Sequence, residues 1–68
     1  MHVAFFENGP HEPPLITHSM DAIPRVGEKV LLRTHYDASF EKYVVEDVEW
    51  VPWSGSVNVD VRKLSSFG

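Results

Sequence analysis

Residues 43–53 read Tyr43-Val44-Val45-Glu46-Asp47-Val48-Glu49-Trp50-Val51-Pro52-Trp53, and the fold turns on how that stretch is read. Apolar side chains recur every second residue, Tyr43 with Val45 and then Val48 with Trp50, but one extra residue separates the pairs. A period of two belongs to a pleated strand with one buried face. One surplus residue is what a β-bulge inserts, bending the strand and raising its twist. The stretch therefore predicts a long, bulged core strand carrying Tyr43, Val45, Val48 and Trp50 inward. Glu46, Asp47 and Glu49 are expected on its wet face, paired across strands with Arg62 or Lys29. Pro52 interrupts the ladder, which places Trp53 at the rim.

On the C-terminal side, Ser54-Gly55-Ser56 makes a short connection. Val57, Val59 and Val61 then alternate with Asn58, Asp60 and Arg62, an amphipathic strand with one buried face. Leu64 is expected to close the core and residues 65–68 to fray. On the N-terminal side, Tyr36 to Phe40 is polar and turn-like. Before it, Pro24 and Gly27 mark a turn that feeds a strand in which Val30 and Leu32 face one way and Lys29 and Leu31 the other. Residues 19–24 are irregular, with room for a single helical turn before Pro24. Short links between the last three strands predict an antiparallel meander.

Residues 1–22 read as a loose N-terminal hairpin attached to a core meander of residues 23–64. Val3 and Phe5 fall on one face of the first strand, Ala4 and Phe6 on the other. Such a strand is either covered on both sides or used in an interface. Asn8-Gly9-Pro10 is a turn, and Leu15 to His18 a short strand that pairs back. No segment keeps a helical apolar period over ten residues. The expectation is all-β: four or five antiparallel strands curled into a small open barrel or meander.

Sixty-eight residues make one domain. Ten valines against three alanines and four leucines favour strands over helices. Cysteine is absent, so neither disulfides nor thiolate metal sites contribute. No apolar run reaches the roughly 20 residues of a membrane span, and the N-terminus lacks a signal-peptide pattern. A soluble, cytoplasmic protein is expected. A net charge of −4 argues against nucleic acid as the first partner to consider.

The turn and the central strand together resemble a group of short bacterial and phage proteins with small SH3-like β-barrels. Those carry a Pro-x-x-Gly-acidic-x-Val turn, matched by Pro24, Gly27, Glu28 and Val30. They follow it with Tyr-x-Val-x-x-Val-x-Trp, matched by Tyr43, Val45, Val48 and Trp50. The resemblance covers the last two thirds of the chain and leaves out residues 1–22. It implies an SH3-like barrel and a phage or mobile-element origin. The motifs are structural, and no active site is carried over with them.

The chemistry-bearing residues are sparse. His2, His11, His18 and His35 have none of the spacings that build a metal site, so no metal is expected. Gly9, Gly27, Gly55 and Gly68 are isolated and form no phosphate loop. No serine has a base and an orienting group marked out for it, and no cofactor is implied. The expectation is a non-enzymatic protein-binding module. Its partner-facing residues would be Trp53, Phe40 and Tyr36, aromatics at turns, with Glu46, Asp47 and Glu49 as an acidic patch for a basic surface. If the phage resemblance holds, the partner is a host protein and the effect modulation or inhibition. Two alternatives stand beside it. Lys29, Arg33, Arg62 and Lys63 could hold nucleic acid. Val3, Phe5 and Phe6 could form an unprotected edge strand that pairs with a second copy in a homodimer.

Overall fold

A computed structural model describes residues 1–7, 13–33 and 40–64. The described chain is all-β: β1 (His2–Phe6), β2 (Ile16–Ser19), β3 (Lys29–Leu32), β4 (Glu41–Val51) and β5 (Ser56–Lys63), with a single 3-10 turn at Pro52–Ser54. They form one curled sheet in the order β2-β1-β5-β4-β3. The meander β3-β4-β5 is antiparallel, as its short links require, and β2 folds back antiparallel on β1.

The sheet is nevertheless mixed, because β1 lies parallel to β5, with Val3 beside Val57 and Phe5 beside Val59. Parallel neighbours need a long crossover, and here nearly the whole meander supplies it. This corrects the all-antiparallel expectation. It also corrects the picture of β1 as an unprotected edge: β2 and β5 flank it on both sides. Val3, Phe5 and Phe6 are all buried, so none of them offers an edge to a second copy. Phe6 is buried on the outer face beside Asp60, which is the doubly covered strand that the sequence allowed.

The core lies in the concave face. Val57, Val59 and Val61 are fully buried there, joined by Val3, Phe5, Leu32, Tyr43 and Val45. Burying each valine side chain contributes about 1.5–3 kcal/mol. Burial and the carboxylates of Glu7 and Glu41 raise the pKa of the Tyr43 phenol above its ordinary value. The bulge falls where the surplus residue predicted it: Val45 pairs with Val61 and Asp47 with Asp60, leaving Glu46 without an opposite residue. Residues 21 and 22 form bends and residue 23 is irregular, so no helical turn precedes Pro24.

The turn before β3 is built by its own residues. Gly27 has φ +92°, a conformation other residues rarely adopt. The N–H of Glu28 donates to the carbonyl of Arg25 at 3.0 Å, and the N–H of Arg25 donates to Glu28 Oε1 at 2.7 Å. The acidic residue of the motif is thus the lock of the turn. Gly27 and Glu28 also bridge to Val45 on β4, at 2.8 Å in each direction, and there the β3 side of β4 stops being paired.

Candidate functional site

The site follows from a mismatch in strand length. β4 has 11 residues and β3 only 4, so β3 and its turn cover β4 up to Val45. Among the described residues, residues 47–51 have β5 on one side and no strand on the other. The N–H of Val48 donates to Asp47 Oδ1 at 3.0 Å, a local capping bond that suits an edge with no strand beside it.

Trp50 stands on this overhang. Its register partner Val57 is a core residue, so its side chain is on the concave face as the alternation predicts. It is nonetheless 54% exposed, which corrects its placement in the core. The alternation gave the face correctly. It could not show that the neighbouring strand ends before reaching it. The chain turning away at Gly27 leaves a groove of about 460 Å³ between Val48 and Trp50 of β4 and the preceding segment, which lines it with Asp21, Ile23, Pro24, Arg25 and Val26.

Trp53, just beyond in the 3-10 turn, is 87% exposed. Gly55 ends that turn in the left-handed region at φ +67°, and the hydroxyls of Ser54 and Ser56 lie 2.6 Å apart. Phe40, by contrast, precedes β4 and Trp53 follows it. At about 3.3 Å per residue, the 11-residue strand puts more than 30 Å of chain between them. Phe40 is exposed and has the Arg33 guanidinium 5.7 Å from its ring centroid. The single aromatic patch predicted from Tyr36, Phe40 and Trp53 is therefore divided: Phe40 and Trp53 occupy opposite ends, and Tyr36 lies outside the described residues. Trp50 takes the place beside Trp53 that Phe40 was expected to fill. Alternation carried no signal for it; the short β3 beside the long β4 is what exposes it.

The outer face carries the acidic residues. Asp47 and Asp60 are direct cross-strand neighbours, with Glu49 opposite Asn58 one step along. Like charges in register repel. Burial foremost, then Asp47, Glu49 and Glu46 raise the pKa of the Asp60 carboxyl above its ordinary value. Glu46, displaced by the bulge, reaches Arg62 Nε at 3.0 Å, and Lys63 Nζ lies 3.8 Å from Glu41. Arg62 is thus one of the two cations expected to meet this cluster. Lys29, the other, stands beside Val44.

Comparison with family models, with curated proteins and with solved structures returns no match for this chain. Among the described residues no three histidines or carboxylates converge on a metal position, and no helix is long and apolar enough to cross a membrane. His11 and His35 lie outside the described residues, as do the turn at residues 8–10 and the C-terminal residues 65–68.

Proposed function

We propose that the chain is a non-enzymatic protein-binding module whose contact surface is the overhanging end of β4. The observation that carries this reading is Trp50, half exposed and lining a largely apolar groove, with Trp53, more exposed still, three residues along the chain. Tryptophan is among the side chains most often found to dominate interface energies once a partner has covered it. Glu46, Asp47 and Glu49 flank the same end of the strand and favour a partner with basic character. The likeness of the turn and strand motifs to short phage and bacterial proteins with SH3-like barrels extends the reading to a modulator or inhibitor of a host protein. Nucleic acid is the weaker reading, because Arg62 and Lys63, two of the four cations proposed for it, already face carboxylates.

Affinity capture from a bacterial lysate, comparing wild type with Trp50→Ala and Trp53→Ala, tests the surface. Both variants should remain folded, since neither side chain is buried, and should lose at least about 90% of the captured partner, which corresponds to 1.4 kcal/mol or more. Equal capture by all three proteins rules the surface out.

A further inference from the structure

The overhang offers more than an apolar patch. Its second wall is missing a strand, and three features coincide there. Residues 47–51 form a sheet edge with no neighbour on the β3 side among the described residues. The groove beside Val48 and Trp50 occupies the space into which β3 would have continued had the chain not turned away at Gly27. On the opposite face of the same edge stand the exposed carboxylates Asp47 and Glu49.

We propose that residues 47–51 of β4 receive an extended segment of the partner as an added β-strand, and that this segment alternates apolar with basic side chains. This deepens the protein-binding reading and rests on it. An added strand lies about 4.8 Å from its neighbour and shares its pleat. Its residues beside Val48 and Trp50 would enter the groove, whose lining is apolar at Ile23, Pro24, Val26, Val48 and Trp50, with one residue of each charge, Asp21 and Arg25. Its residues beside Asp47 and Glu49 would point to the outer face, where Asp60 adds to the negative field and Glu46 is already paired with Arg62. Directly opposed charges of opposite sign stabilise a strand pair, and like charges destabilise it. The occupant's period of two is therefore set by β4 itself: main-chain hydrogen bonds hold it, and the two faces select its sequence. The other open edges, β2 and β3, face each other across a groove of about 390 Å³ lined by Phe5, Met20, Val30 and Leu32. Among the described residues that seam has no carboxylate in its lining, so nothing described there selects for a basic side chain.

The probe is a capped eight-residue peptide alternating lysine and valine, titrated at low salt into the 15N-labelled protein. One control shuffles the same residues out of alternation. A second replaces each valine by proline, which keeps an extended shape but cannot donate into a ladder. The alternating peptide should shift the amides of residues 47–51 and slow hydrogen exchange at the Trp50 amide about tenfold or more, a protection that side-chain contact alone does not give. Trp50→Ala should abolish the response. The pair Asp47→Asn with Glu49→Gln should weaken binding about tenfold and flatten its salt dependence; the asparagine keeps an oxygen for the Val48 N–H. Equal binding of the proline or shuffled peptide overturns strand addition, and so does a response confined to the seam between β2 and β3. No response to the alternating peptide, with Trp50-dependent capture from lysate intact, overturns strand addition and leaves the protein-binding reading standing. Capture indifferent to both tryptophans removes the protein-binding reading itself.

Discussion

Asp60 sits on the outer face of the central strand, between Phe6 on one side and Asp47 on the other, and half buried. Burial is the main reason its carboxyl binds a proton more tightly than an ordinary aspartate, and the three neighbouring carboxylates add to it. The folded state then holds more protons than the unfolded chain in the window from the ordinary value of 3.8 up to the raised one. In that window stability falls as pH rises, and at neutral pH the ionised carboxylate opposes folding. Asp60→Asn is therefore expected to raise the thermal midpoint at pH 7 by a few degrees and to flatten the pH dependence above pH 4. A lowered midpoint would mean that the carboxylate makes a stabilising contact. Alternation alone assigned Asp60 to the wet face. The like-charged neighbour Asp47 became visible only once the bulge had set the register, since without the surplus residue a different side chain would stand opposite.

The turn before β3 shows how much a short motif can determine at the scale of an element. Gly27 supplies the left-handed residue, Glu28 locks the turn through the Arg25 N–H, and both then reach Val45. Among the described residues, no atom beyond its own chain neighbours lies within 4 Å of where a Gly27 side chain would begin, so the demand is conformational and not steric. Gly27→Ala should cost about 1–2 kcal/mol, measured by urea unfolding with an unchanged m-value. A loss below about 0.3 kcal/mol would show that the turn readily adopts another conformation. The strands that could be read from alternation, β3, β4 and β5, are those whose faces differ sharply in polarity. The turn, the bulge and the return of β2 on β1 were legible for the same local reason. The parallel pairing of β1 with β5 was not, because nothing in Val3 or Phe5 marks the direction of a neighbour some fifty residues along the chain. The exposure of Trp50 was hidden in a related way: it depends on where another strand stops.

For the whole molecule, connectivity predicts the order of assembly. The pair β4 and β5 is a hairpin joined by one tight turn, so it closes with little loss of chain entropy. The pair β1 and β5 joins the two ends of the described chain and can form only after the meander is in place. Core residues on the two pairings should therefore report differently on the folding barrier, although they share one concave core. Val45, buried opposite Val61, belongs to the hairpin; Val3, buried beside Val57, belongs to the closing strand. Truncating either valine to alanine removes about 2 kcal/mol of burial and packing, enough for a reliable kinetic ratio. Val45→Ala is expected to act mainly by slowing refolding, and Val3→Ala mainly by speeding unfolding, in stopped-flow urea chevrons. Given the distant pairing, refolding of the wild type should take milliseconds to seconds. A chevron in which Val3→Ala slows refolding as much as Val45→Ala would mean that β1 docks in the transition state. The sheet would then assemble from its ends inward, with the parallel pair and not the bulged hairpin as its nucleus.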